Sequence, residues 1–229
     1  MTRHSNLFRH LLIAIILYIM AFPLLISEGA FGQIMEALFG LGILWTGVQA
    51  SRGMKPMNTW IMVLLGLLVV VIVGAIIRPE YVWLSIAHHV LALFFYMRFV
   101  LIVGKDVFLT QRIDASSRLY GAVCVYMLLA ILYADLFVFI DILQPGSFYC
   151  SAALCPPGVK VFHQGTQIYY SLITLTTLGY GDISPAQPVA AMFAGAEAAI
   201  GQMYVGIMVA RLVGLHLMES PPDESDRLS

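Results

Sequence analysis

Long apolar stretches separated by short polar ones divide the chain into six candidate helices. The runs extend past about 17 residues without strict apolar–polar alternation, which favours helices over the strands of a barrel. Each is long enough to cross a hydrocarbon core of about 30 Å at about 1.5 Å per residue. The predicted spans are residues 8–27, 30–50, 57–77, 81–104, 117–143 and 187–217.

A further apolar stretch, from about Gly165 to Thr176, is too short to span. Its roughly 12 residues would make a helix of about 18 Å, so we expect a re-entrant segment that enters the membrane and returns on the same side. Irregular backbone at that depth is tolerated only where protein surrounds it or where it lines a water-filled path. The pattern therefore predicts a pore or cavity.

The re-entrant stretch runs into "TLTTLGYGD", residues 174–182. A row of backbone carbonyls can replace the water around an ion only if the backbone alternates in handedness. Glycine reaches the positive φ values that such a backbone needs. In "TLGYG" it occupies the third and fifth positions, Gly179 and Gly181. The Thr177 hydroxyl would add another oxygen, and the negative C-terminal end of the preceding helix would favour a cation.

The segment "TTLGYGD" resembles the signature sequence of potassium channels, and the likeness covers residues 117–217: outer helix, pore helix, filter and inner helix. It implies that K⁺ is coordinated by the carbonyls of Thr177, Leu178, Gly179 and Tyr180 and by the Thr177 hydroxyl. Gly181 would complete the outer mouth. Leu178 stands where valine is commoner, but its carbonyl would face the ion. Apart from K⁺, no organic cofactor is expected.

The same resemblance implies which residues support the filter. Tyr169 and Tyr170 lie where the family often has a tryptophan pair packed around the filter, and Thr176 precedes the coordinating residues. We expect the Tyr169 hydroxyl to bond Asp182 behind the filter and to hold the mouth in shape. A single filter loop per chain implies a homotetramer, because four loops form one ring of carbonyls.

Composition places this fold in a lipid bilayer. Of 229 residues, 60% are hydrophobic and 11% are charged, and the net charge of −1 gives no reason to expect nucleic acid as a partner. Basic residues favour one side of the predicted spans, and few fall on the other side, which predicts cytoplasmic termini. The favoured side carries Arg3, Arg9, Arg52, Lys55, Lys105, Arg112, Arg118 and Arg227, and the other side carries Arg78 and Lys160.

We therefore expect an all-α integral membrane protein of the cell's inner (plasma) membrane, with six transmembrane helices, a re-entrant pore helix and a filter loop. Residues 1–104 would form a four-helix domain, 105–116 a cytoplasmic linker, 117–217 the pore domain and 218–229 a disordered tail without a regulatory domain. The function expected is passive K⁺ conduction, not catalysis. The alternatives are a weakly selective cation channel and a non-conducting sensor or haem protein.

The sequence does not decide the roles of several residues within the predicted spans. The fourth helix carries only Arg98, which argues against a strong voltage sensor. Gly201 is either a gating hinge or a site of close helix packing. Glu197 is either a functional group behind the filter or a protonated carboxyl bonded to a neighbouring helix.

Two further residue pairs invite specific hypotheses. His88 and His89 could sense pH or ligate haem, although haem needs another histidine at matching depth, or they could be hydrogen-bonded packing residues. Cys150 and Cys155 lie on the predicted external side, where a disulfide is favoured. Free thiols or a bridge between subunits are the alternatives.

Overall fold

A computed structural model describes residues 2–20, 42, 57–78, 81–109, 115–155, 161–162 and 166–219, and this part of the chain is mostly helical. The helices are α1 (Thr2–Met20), α2 (Met57–Ile77), α3 (Val82–Leu109), α4 (Ala115–Leu143), α5 (Thr166–Leu175) and α6 (Pro188–Glu219). Two short strands, β1 (Phe148–Cys150) and β2 (Ile183–Pro185), complete the described elements.

Three described helices are long and apolar enough to cross a membrane: Val82–Lys105, Arg118–Leu143 and Pro188–Arg211. Helix α1 contains a shorter apolar segment, Phe8–Met20. Helix α2 coincides with the predicted span 57–77. The predicted span 30–50 lies outside the described residues except for Gly42, as do residues 21–27 and 220–229. The count of six spans therefore stays a prediction.

Two helices extend into the predicted linker 105–116 from either side, and whether the segment is a cytoplasmic linker stays a prediction. Helix α3 continues past residue 104 to Leu109, and α4 begins at Ala115. The charged residues around Lys105 favour a loop at the level of sequence. In the structure, however, Val103 and Val107 are both buried in the core. Packing of this apolar face therefore extends the helix through the charged positions.

One hydrophobic core joins α1 and α3 to α4 and α5. Helix α4 contacts α1, α3, α5 and α6. Its residue Leu128 lies in the same buried cluster as Leu11 and Ile15 of α1, Phe99 of α3 and Ile168 of α5. A displacement of α1 or α3 would therefore change the packing around α5.

The prediction of an all-α chain is wrong in one detail, because β1 and β2 pair as an antiparallel two-stranded sheet. Phe148 lies opposite Pro185, and Cys150 lies opposite Ile183. Three-residue strands are too short to show a period of two in the sequence, and these partners are separated by the whole of α5 and the filter loop.

Candidate functional site: the loop between α5 and α6

Helix α5 is a short buried helix that packs against α4 and α6. Seven of its ten residues are buried, and three of the seven are polar: Thr166, Gln167 and Ser171. After Leu175 the chain folds back, because the amides of Leu178 and Gly179 both donate to the carbonyl of Ile173, at 2.8 and 3.0 Å. These bonds satisfy the helix C-terminus and fix the start of the loop to it.

Positive φ values alternate along this loop. They occur at Thr177 (57°), Gly179 (54°) and Gly181 (78°), and not at Leu178 or Tyr180 between them. Alternation between left- and right-handed backbone directs successive carbonyls towards the same side, unlike a strand, in which they alternate. The positive φ values at Gly179 and Gly181 are those that the glycine spacing predicts, and Thr177 has a further one. The direction of the carbonyls stays a prediction.

Thr177 is an unusual residue for this conformation. A β-branched side chain at positive φ is a backbone outlier and persists only where surrounding contacts hold it. Its hydroxyl donates to the carbonyl of Thr176 at 2.7 Å and accepts from Nε2 of Gln202 at 2.8 Å. Sequence reasoning missed Gln202, whose only signal was a polar residue next to Gly201 on an apolar helix.

The loop is open to one side of the single chain. Leu178 is 56% exposed and Tyr180 is 68% exposed, although both are large apolar or aromatic side chains. Residues 176–181 are all exposed, while most of α5 directly before them is buried. A surface of this kind in a folded chain marks a site of interaction.

At the outer end of the loop, the Tyr169 hydroxyl donates a hydrogen bond to Oδ2 of Asp182. The other carboxylate oxygen, Oδ1, accepts from the amide of Ile183 at 2.9 Å. Partial burial, together with the hydrogen bond and charge of Asp182, raises the pKa of Tyr169 to about 12. The phenol is therefore a proton donor at neutral pH. The expected contact is present, and its role in conduction stays a prediction.

Tyr170 packs into an aromatic cluster on the other side of α5. Its ring centroid lies 4.9 Å from that of Phe137, 5.5 Å from Phe148 and 5.9 Å from Phe162. Burial raises the pKa of Tyr170 to about 12. The cluster connects α4, β1 and α5, so β1 is anchored to the helix that leads into the loop 176–181.

Cys150 and Cys155 form a disulfide, with Cα atoms 5.9 Å apart. This is the pairing that the sequence favours over free thiols or a bridge between subunits. The bridge closes the turn that follows β1, and the amide of Ser151 in that turn donates to the Asp182 carbonyl at 2.7 Å. The crosslinked turn is thus bonded directly to the outer end of the loop.

Glu197 joins three helices. It is fully buried, and its Oε1 contacts the hydroxyl of Ser171, which also lies 2.7 Å from the Ala130 carbonyl. A serine hydroxyl has one proton, so if that proton goes to the Ala130 carbonyl, the contact with Glu197 requires a proton on the carboxyl. This arrangement favours the hydrogen-bonded, protonated alternative for Glu197.

Gly201 lies where α6 crosses the end of α5. A Cβ at this position would lie 2.1 Å from the Leu175 carbonyl oxygen, an impossible distance. The same oxygen accepts a hydrogen bond from the Tyr126 hydroxyl at 3.1 Å. Helix α6 runs without interruption through Gly201, so the structure accounts for the glycine by close packing, and a hinge stays a prediction.

The histidine pair lies between α3 and α4. Nδ1 of His89 is 2.7 Å from Oδ1 of Asp135, and the His88 ring stacks on His89 with centroids 4.8 Å apart. Among the residues that the structure describes, no group of three or more His, Cys, Asp or Glu side chains could hold a metal ion. The contact between His89 and Asp135 links α3 to α4, and both pH sensing and haem ligation stay predictions.

Comparison with known proteins finds similarity to ion channels in the C-terminal part of the chain. Residues 119–215 match the sequence model of a family described as "Ion channel" (Ion_trans_2). A stretch of 69 residues is 36% identical to the "Two pore potassium channel c" of Oryza sativa subsp. japonica, covering 30% of this chain and 14% of that protein. No solved structure matches the chain. Its C-terminal part is therefore similar to ion channels, which points to a membrane channel rather than an enzyme.

Proposed function

We propose that this protein is a potassium-selective channel that conducts K⁺ passively through a pore lined by residues 177–181. One observation carries the proposal: positive φ alternates at Thr177, Gly179 and Gly181, within "TTLGYGD" and at the end of a buried helix. In this conformation the carbonyls of residues 177–180 and the Thr177 hydroxyl replace the hydration shell of K⁺. The potassium relative supports this choice of ion.

The proposal includes a homotetramer. One chain supplies one loop, whereas a closed ring of carbonyls around the ion needs four. The exposure of Leu178 and Tyr180 supports this assembly, because neighbouring copies would cover these side chains. On α6, several large exposed apolar side chains are available for the same contacts: Met192, Phe193, Ile200, Met203 and Ile207.

Orientation and gating follow from the distribution of charge. Cytoplasmic termini in the cell's inner membrane satisfy the bias of the basic residues. The α3 helix carries Arg98 as its only arginine, so opening depends weakly on voltage. The K⁺ site consists of backbone and hydroxyl oxygens, and no organic cofactor takes part in conduction.

The test is K⁺ flux from liposomes that contain the purified protein, compared with Na⁺ flux under an equal gradient. We expect K⁺ flux to exceed Na⁺ flux strongly, and we expect Gly179→Ala to abolish it, because alanine at φ 54° is strained and displaces the carbonyls. Gly66→Ala is the matched control, since Gly66 lies on α2 with open space around its Cα.

The outcomes separate the alternatives. Equal K⁺ and Na⁺ flux would indicate a weakly selective channel in which Leu178 distorts the filter. Absence of flux across a range of pH and voltage, combined with a haem absorption band, would support a non-conducting sensor instead. Loss of flux in Gly66→Ala as well as in Gly179→Ala would show that the assay reports folding and not the filter.

A further inference from the structure

The contact between Gln202 and Thr177 joins α6 to the inner end of the filter loop. Nε2 of Gln202 lies 2.8 Å from the Thr177 hydroxyl oxygen, and both side chains are exposed in the single chain. Gln202 directly follows Gly201, which packs against the Leu175 carbonyl. The close packing at Gly201 therefore determines how near the glutamine comes to the filter.

The hydrogen bonds fix the direction of both groups. The Thr177 hydroxyl lies 2.7 Å from the Thr176 carbonyl, which can only accept, so the hydroxyl proton is used there. Towards Gln202 the hydroxyl oxygen must accept, and the amide must present its nitrogen and not its oxygen. As a result, Oε1 of Gln202 points away from Thr177, and one lone pair of the Thr177 oxygen remains for an ion.

This arrangement orients two oxygens per chain. Thr177 is held at positive φ, and without the glutamine its side chain would keep only the bond to its neighbour Thr176. The amide bond restrains the hydroxyl from the α6 side. The amide oxygen of Gln202 takes no part in this bond and belongs to an exposed side chain, so the negative end of the amide dipole is available to an ion.

Building on the proposed channel function, we propose that Gln202 is a positioning residue of the innermost cation site, and that it sets how tightly this site holds its ion. The ligand is a large dehydrated cation, either K⁺ or a divalent ion of similar radius. The Thr177 hydroxyl contacts the ion, and Gln202 acts through that hydroxyl and through its own dipole.

Ba²⁺ is a suitable probe, because it is close to K⁺ in radius and carries twice the charge. The measurement is the Ba²⁺ concentration, equal on both sides of the liposome membrane, that halves the K⁺ flux. For Gln202→Leu, which loses the donor and the dipole, we expect this concentration to rise at least about fivefold. For Gln202→Glu, which places four carboxylates beside the site, we expect it to fall at least about fivefold.

Shifts in opposite directions separate a positioning role from simple damage, because a misfolded filter would not bind Ba²⁺ more tightly. Gln187→Leu, which removes an exposed glutamine from the turn before α6, is the matched control and should leave the Ba²⁺ concentration unchanged. If Gln202→Leu fails to assemble, Gln202→Glu decides alone. If both variants need the same Ba²⁺ concentration as the unchanged protein to halve the K⁺ flux, the inference is overturned. The proposed channel function is not affected by that outcome.

A second measurement tests the ion site even if the protein conducts no ions. The tetramer's thermal unfolding temperature in K⁺ minus that in Na⁺ reports ion binding without flux. If the unchanged protein conducts nothing, the proposed function fails. A smaller K⁺-dependent shift in Gln202→Leu would then still support the ion site, and an equal shift would overturn it.

Discussion

At the residue scale, the hydroxyl of Tyr169 donates a hydrogen bond to Asp182 at the end of the loop 176–181. Replacement by phenylalanine keeps the ring and removes the donor. We therefore expect K⁺ flux through Tyr169→Phe to start normally and then to decay faster than in the unchanged protein, as the mouth loses its shape. Time-resolved flux from liposomes measures this decay. Decay at the unchanged rate would show that the bond does not maintain conduction.

The pH dependence of this bond has a defined sign. Because the folded-state pKa of Tyr169 is raised from 10.0 to about 12, the contribution to stability is complete below pH 10 and is lost as pH rises towards 12. The difference in unfolding temperature between the unchanged protein and Tyr169→Phe should therefore be constant from neutral pH to pH 10 and shrink above it.

Ser171 and Glu197 provide a second test at this scale, by a double-mutant cycle. Ser171→Ala leaves the buried carboxyl without its partner, and Glu197 Oε2 already has none among the described residues. We expect Ser171→Ala to lower the free energy of unfolding by about 1–3 kcal/mol. The double variant Ser171→Ala/Glu197→Leu should recover part of this loss, because both polar partners are then absent.

Denaturant unfolding of the purified protein measures the cycle, with Ser85→Ala on α3 as a control on another helix. Strictly additive losses in the two single variants and the double variant would mean that the contact contributes nothing. An infrared band of a protonated carboxyl that disappears in Glu197→Gln would establish the protonation state independently.

Single residues also show what sequence can and cannot predict. The glycine spacing predicts the positive φ values at 179 and 181, because only glycine adopts them without cost. The positive φ at Thr177 could not be predicted, because threonine avoids it and only tertiary contacts impose it. Gln202 was missed for the same reason: its importance depends on proximity to Thr177, 25 residues away.

At the element scale, long helices were predictable and short elements were not. The inner helix, expected at 187–217, is observed as Pro188–Glu219, because a long apolar run in lipid has few alternatives to a helix. The strands β1 and β2 each span three residues and exist because they pair with each other across the mouth. No local pattern encodes such a pairing.

The disulfide tests the importance of this small sheet. For a closed loop of about six residues, removal of the Cys150–Cys155 bridge should cost about 2 kcal/mol, and the loss should fall on β1 and β2. We expect amide hydrogen exchange at 148–155 and at 183–184 to accelerate on reduction, while exchange in α4 is unchanged. The Cys150→Ser/Cys155→Ser variant should exchange rapidly with or without reductant. Equal exchange before and after reduction would show that the sheet stands without the bridge.

At the scale of the whole molecule, the N-terminal helices share one hydrophobic core with α4 and α5. The cluster that contains Leu11 and Phe99 also contains Ile168 of α5, and His89 is bonded to Asp135 of the outer helix. The sequence divides the chain into two blocks, because the boundary at Lys105 is charged. It does not predict that both blocks share one core, since which faces meet is decided by packing in three dimensions.

Assembly is the remaining property of the whole molecule, and mixing experiments test it. If four loops form one ring, a single Gly179→Ala chain disrupts the filter of its whole assembly. Co-expression of unchanged and Gly179→Ala chains in equal amounts should then leave roughly one sixteenth of the flux, the fourth power of one half. Liposome K⁺ flux, normalised to reconstituted protein, measures the fraction, and Gly66→Ala mixed in equal amounts should leave it unchanged. A residual of about one quarter would instead indicate two loops per pore, and about one half would indicate that each chain acts alone.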